Sequence, residues 1–288
     1  MEIRLKQFFS VAALAVGLLV MAEFVFAQEL VQAARTDGAK TPLRVYTPNA
    51  AGCAPLALIS PGAGGSEDGY KYLAEALRDA GWRAVVMGHK ESGEAALRSD
   101  MKDSGGIRKG VRELVNDPAA YSARLMDIKA ALDWAAPICR PSFRVLIGHS
   151  MGARTVMVEA GAKNKLGLVG LHRFHAYVAM SPDGPDTMFP EHAWSGIATP
   201  MLILTGTRDK SMATGSYESR TIPYEDMPAG CKWLGVIAEA SHMNFAGVGF
   251  AGSTEKLVLL ETKAFLDGVR RGKCGVPVAA EGITLKSK

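Results

Sequence analysis

The strongest constraint on the fold is a series of short, uninterrupted apolar runs at 55–60, 83–87, 145–147, 177–180 and 201–205. Runs this short, apolar at consecutive positions, suit strands buried on both faces of a sheet. Helical periodicity fills the gaps. Ser66 is placed to cap a helix in which Tyr70, Leu73, Ala74 and Leu77 share a face and which Gly81 ends. Asp117-Pro118 opens another, with Tyr121, Leu125, Ile128 and Leu132 facing inward, and 151–163 and 253–270 complete the set. Strand and helix therefore alternate, which predicts an α/β fold with a mostly parallel sheet covered by helices on both faces. The Asp37-Gly38 turn between 30–35 and 43–46 adds an antiparallel hairpin at the start.

Residues 1–27 read as a signal peptide: Arg4 and Lys6 form a basic start, an apolar run follows, and Val25 and Ala27 suit cleavage before Gln28. A membrane anchor is the rival, but Glu23 breaks the run, so no stable anchor is expected after cleavage. Residues 28–288 then form one domain, and 275–288 is a candidate for a disordered tail. The formal charge of +4 has no clustered Lys and Arg, so nucleic acid is not an expected partner. Export to the periplasm or beyond meets an oxidising compartment, where the four cysteines can form two bridges in any of three pairings. Their spacing matches no zinc site, and no metal is expected.

One motif carries chemistry. Gly148-His149-Ser150-Met151-Gly152 follows an apolar strand and opens a helix, the context of a nucleophile elbow. A serine hydroxyl needs a base to take its proton and an acid to orient that base. Asp209 follows the run at 201–205, and His242 follows a further predicted strand at 233–238, in the order Ser, Asp, His. Of the six histidines, His242 alone has that placement. Asp226 and Glu225 are the reserve acids.

The segments Ser60-Pro61-Gly62-Ala63-Gly64-Gly65-Ser66, Gly148-His149-Ser150-Met151-Gly152, Gly206-Thr207-Arg208-Asp209 and Ser241-His242-Met243-Asn244-Phe245 resemble the ordered motifs of the α/β-hydrolase superfamily. Within it the chain is most similar to the bacterial dienelactone-hydrolase-like and cutinase-like branch, related to polyester hydrolases, chlorophyllases and platelet-activating-factor acetylhydrolases. Two residues depart from that pattern. Pro61 stands where many relatives have His, and Ser150 stands where dienelactone hydrolase uses Cys, which argues against a dienelactone substrate.

The resemblance implies a serine esterase that needs no cofactor, with Ser150, Asp209 and His242 as its triad. It implies an oxyanion hole from the backbone N–H groups of Met151 and Ala63, with Gly64 in reserve. It implies the disulfide Cys53–Cys139, because the strands those cysteines precede are parallel neighbours in that fold, and the remaining bridge Cys231–Cys274, because the last helix, which Cys274 follows, returns beside the last strand, which Cys231 starts. The short stretch 181–200 leaves no room for a large cap domain. Tyr70 and Trp194, near predicted strand ends, are candidates for lining a pocket for a small or polymeric ester, and Asp183 is a turn residue or a polar contact. The same triad would serve an amide, thioester or phospholipid acyl bond, and a non-catalytic binding module is the remaining alternative. Segment 90–116, charged and weakly helical near 107–115, is expected to fold over the C-terminal ends of the strands.

Overall fold

A computed structural model describes residues 28–49 and 52–288. The expected signal peptide, 1–27, lies outside the described residues. The strands are β1 (Gln28–Ala34), β2 (Lys40–Tyr46), β3 (Leu56–Ser60), β4 (Arg83–Met87), β5 (Arg144–His149), β6 (Ala176–Met180), β7 (Met201–Arg208), β8 (Lys232–Ser241) and β9 (Ile283–Ser287). They form one sheet in the order β1-β2-β4-β3-β5-β6-β7-β8-β9. From β4 to β8 all neighbours are parallel, while the β1–β2, β2–β4 and β8–β9 pairs are antiparallel. The helices are α1 (Lys71–Asp79), α2 (Glu94–Ser104), α3 (Ile107–Leu114), α4 (Pro118–Ala135), α5 (Met151–Glu159), α6 (Ile222–Asp226) and α7 (Gly252–Arg270). None of those described is long and apolar enough to cross a membrane.

The apolar runs earn their burial on both faces. Along β3, Leu56 and Leu58 enter the core beneath α4 and α5, whereas Ala57 and Ile59 enter the opposite core beneath α1 and α7. Such two-sided burial explains why alternation is missing from the sequence there. Segment 90–116 forms the paired helices α2 and α3, and no large cap is inserted among the described residues.

The structure departs from the sequence reading in two places. Ser66 does not cap α1: Tyr70 precedes the helix with φ 55°, and the Ser66 hydroxyl instead accepts the Asp68 N–H. The tail is ordered rather than disordered. Residues 283–287 pair with β8, from Trp233↔Ser287 to Ile237↔Ile283, and so cover an apolar strand that would otherwise end the sheet with a row of unpaired backbone groups. The polar composition of the tail reflects its exposed outer position, not a lack of structure.

Cys53 is joined to Cys139 and Cys231 to Cys274, with Cα separations of 5.5 and 4.9 Å. Cys53 lies just before β3 and Cys231 just before β8, so the bridges sit at the end of the sheet opposite the elbow.

A buried polar seam runs between α4 and the sheet. Asp127 accepts hydrogen bonds from His89 Nδ1 at 2.8 Å, from Arg35 Nη1 at 3.2 Å and from the Thr41 hydroxyl. Since the carboxylate takes the Nδ1 proton, His89 Nε2 is left to accept the Ser60 hydroxyl, 2.8 Å away. The seam requires a neutral imidazole. Burial, reinforced by the charges of Arg124 and Arg35, outweighs the pull of Asp127 and brings His89 down to about 4.

This has a consequence for stability. The unfolded chain takes up the His89 proton near the ordinary histidine value of about 6.5 while the folded chain does not, so acidification favours unfolding. Folding stability should therefore fall as pH drops from about 6.5 to about 4, by about 3 kcal/mol from this residue, and then level off. Urea unfolding across that window measures the slope, and His89→Gln should flatten it. An equally steep slope in the variant would mean that His89 is not the group responsible.

Candidate active site

Register brings the sequence motifs together. In the β3–β5 pair Ser60 lies opposite Gly148, so the 61–65 loop and the elbow leave neighbouring strands at one level. In the β7–β8 pair Arg208 lies opposite Ser241, so Asp209 and His242 emerge side by side. All four segments meet beyond the C-terminal ends of the parallel strands, where open α/β sheets gather their functional groups.

The elbow is built from close backbone contact. Ser150 has φ 55° and ψ −118°, and its N–H donates to the Met180 carbonyl at 3.0 Å. A Cβ on Gly152 would stand 1.9 Å from the Ser60 carbonyl oxygen, and one on Gly148 would stand 2.2 Å from the Gly152 oxygen. Neither position has room for a side chain.

His242 Nε2 is 2.9 Å from Ser150 Oγ, and Nδ1 is 2.8 Å from Asp209 Oδ1. An ionised Asp209 takes the Nδ1 proton, which leaves Nε2 free to accept the serine hydroxyl. Asp209 is fully buried, whereas the His242 side chain is 33% exposed. Burial alone would raise the Asp209 carboxyl, but the hydrogen bond from His242 and the charge of Arg220 outweigh it and hold it below the usual carboxylate range. Arg220 Nε lies 2.9 Å from Asp209 Oδ1, and Thr205 Oγ1 donates to the second oxygen at 3.0 Å.

The backbone donors can be sorted by elimination. Gly62 N–H donates to the Tyr70 hydroxyl and Gly64 N–H to the Ser92 carbonyl, at 3.2 and 2.8 Å. Gly64 is thereby engaged. The N–H groups of Ala63 and Met151 have no hydrogen-bond partner among the described residues. Gly62 places this loop against the nucleophile, since a Cβ there would be 3.3 Å from Ser150 Cβ.

Two expectations fail. Tyr70 does not line a pocket: it is 5% exposed, and its hydroxyl is 2.8 Å from His149 Nδ1. His149 Nε2 in turn donates to the His242 carbonyl at 3.0 Å, so Tyr70 and His149 form a brace between the 61–65 loop and the backbone of His242. Burial, aided by the nearby His242, holds this imidazole well below its ordinary value and therefore neutral. Trp194 is fully buried against Phe189, with ring centroids 5.3 Å apart; its backbone N–H donates to Asp226 Oδ2 at 2.8 Å, and its indole N–H has no partner among the described residues. Both aromatics pack into the core instead, Trp194 on the α4 and α5 side of the sheet and Tyr70 on the α1 and α7 side.

The reserve acids are elsewhere: Asp226 faces His192, and Glu225 pairs with Lys286. Asp183 supports the site from behind, between Arg154 and Arg220. The sequence reading missed Arg220, which lies in a one-turn segment with no periodicity to mark it. No group of three or more His, Cys, Asp or Glu among the described residues is arranged to hold a metal.

The sequence matches no family model and none of the curated proteins. Solved structures do resemble this one. An alpha-beta serine hydrolase homologue from Coxiella burnetii matches with a TM-score of 0.57 at 18% identity, covering 82% of this chain and 98% of that one. Dienelactone hydrolase from Anabaena variabilis matches with a TM-score of 0.57 at 20% identity, over 81% and 95% of the two chains. A serine hydrolase without lid from Xanthomonas campestris gives a TM-score of 0.53 at 16% identity, over 87% and 97%. At these identities the likeness is one of architecture, and together with the strand order and the absence of a large cap among the described residues it gives the chain the α/β-hydrolase fold.

Proposed function

We propose that this chain is an exported serine hydrolase that cleaves carboxylic esters through an acyl-enzyme. The observation that carries the reading is the row Ser150, His242, Asp209, with hydrogen bonds of 2.9 and 2.8 Å, beside two backbone N–H groups that have no partner among the described residues. Serine hydrolases and esterases among the structural neighbours support it. Two disulfides suit a protein that works in the periplasm or outside the cell.

In this reading His242 Nε2 takes the Ser150 proton as Oγ attacks the ester carbonyl carbon. Negative charge collects on the former carbonyl oxygen, and the N–H groups of Met151 and Ala63 stabilise it. His242 then gives the proton to the departing alkoxide, which leaves as an alcohol. Water, deprotonated by the same imidazole, attacks the acyl carbon and releases the acid and free Ser150. Asp209 stays ionised throughout, and Arg220 favours that state.

Hydrolysis of p-nitrophenyl esters tests the scheme. Ser150→Ala should lower kcat by about a millionfold and abolish labelling by a fluorophosphonate. Wild-type turnover in that variant would end the proposal. Asp209→Asn should keep the fold yet cost about 10⁴ in kcat, because an amide presents Nδ1 with the wrong partner and favours the wrong imidazole tautomer. A panel of esters of graded acyl length, with a phospholipid and a polyester film, reads out the preferred acyl group.

A further inference from the structure

Two side chains hold the 61–65 loop: Tyr70 takes its Gly62 N–H, and Arg124 takes its carbonyls. Arg124, on α4, is 1% exposed and forms no ion pair among the described residues. Its guanidinium is instead satisfied by the loop. Nη1 donates to the Pro61 carbonyl at 2.8 Å and to Ser60 Oγ at 3.3 Å, Nη2 to the Gly62 carbonyl at 3.3 Å, and Nε to Ser92 Oγ at 2.7 Å. Burial lowers this guanidinium to about 10, which still leaves it cationic at neutral pH. Ser92 reaches the loop a second time, through its own carbonyl and the Gly64 N–H.

The geometry of a peptide unit gives these contacts a meaning. The Gly62 carbonyl and the Ala63 N–H belong to one planar trans peptide, so they point in opposite directions. Arg124 and the Gly65 N–H, the latter at 3.1 Å, fix the Gly62 carbonyl on one side and so fix the Ala63 N–H on the other, and the cation, by drawing electron density toward the oxygen, makes that N–H a stronger donor. The preceding peptide is pinned at both ends, with its carbonyl on Arg124 and the Gly62 N–H on Tyr70. Only the Ala63 N–H is left over.

We infer that Arg124 is the positioning residue of the oxyanion hole: by clamping the carbonyls of Pro61 and Gly62 it aims and polarises the Ala63 N–H. This rests on the reading of Ser150 as the nucleophile. Asp127 completes the device. Its negative charge reaches Arg124 through the row of His89 and Ser60, each hydrogen bond running from donor to acceptor toward the carboxylate. The row has the residue types and spacing of a nucleophile, base and acid, yet Ser60 is fully buried and its hydroxyl already spans Arg124 and His89. It acts as a support and not as a second nucleophile.

Arg124→Lys keeps the charge but cannot bridge two carbonyls and two hydroxyls. An oxyanion contact forms only as charge develops, so the expected loss is in kcat, about tenfold to a hundredfold, with KM within about twofold. Affinity for an aryl trifluoromethyl ketone, which forms a tetrahedral oxyanion on serine, should fall by the same factor as kcat/KM. Ser92→Ala, a milder change that removes the Nε acceptor, should give the same pattern at about threefold to tenfold, and decides the matter alone if Arg124→Lys does not fold. Folding is followed by circular dichroism and thermal melting. Wild-type kcat in the folded variants, or a loss confined to KM with ketone affinity unchanged, would overturn the inference. If the wild-type protein itself shows no hydrolysis that depends on Ser150, it is the proposed function that fails.

Discussion

Everything in the site follows from one place where only backbone fits. The first turn of α5 lies directly on the end of β3, so near that a single methyl on Gly152 would overlap the Ser60 carbonyl. That contact sets how far Ser150, whose backbone has a positive φ, rises above the sheet. It also sets the distance from the serine to the 61–65 loop, because that loop begins at the same Ser60. A larger residue at either glycine would therefore displace nucleophile and loop together.

Around that contact the polar groups are arranged in rows whose protons all have an assigned direction. Gly62 N–H, the Tyr70 hydroxyl and His149 run toward the carbonyl of His242, and Arg124, Ser60 and His89 run toward Asp127. Both imidazoles are buried and neutral, so each has one donor and one acceptor nitrogen and can be satisfied in one tautomer only. Buried polar groups are tolerated when every member has its partner, and here that condition also removes alternative orientations of the loop.

Much of this was legible in the sequence, and what was not has identifiable causes. Two-sided apolar strands, the elbow motif and the order of Asp209 and His242 are local signals tied to strand ends, and they carried over into the fold. The positions that escaped notice depend on contacts between distant segments. Arg220 sits in a short turn without pattern, and Tyr70 presents the same aromatic ring to a sequence reader whether it walls a pocket or braces an elbow. The place of His149 inside the motif says nothing about its partners. Arg124 could have been found. It falls in the buried stripe of α4 with Tyr121, Ile128 and Ala131, and a charged residue in such a stripe must meet buried polar groups. The tail strand leaves little trace in the sequence because an edge strand needs only backbone pairing.

The two fastenings of α4 bear on how the molecule can move. Just past its C-terminal end, the turn that follows the helix is tied covalently to the chain just before β3, through Cys139 and Cys53. Near its N-terminal end Arg124 grips the chain just after β3, at Pro61 and Gly62. Helix and strand thus run side by side with a fixed point at each end. Packed helices in many proteins shift by sliding along their axes, and a slide of one turn is about 5.4 Å. Here any such slide would have to strain the bridged turn that follows α4 and strip a buried cation of its partners, so α4 is a strut held against shear.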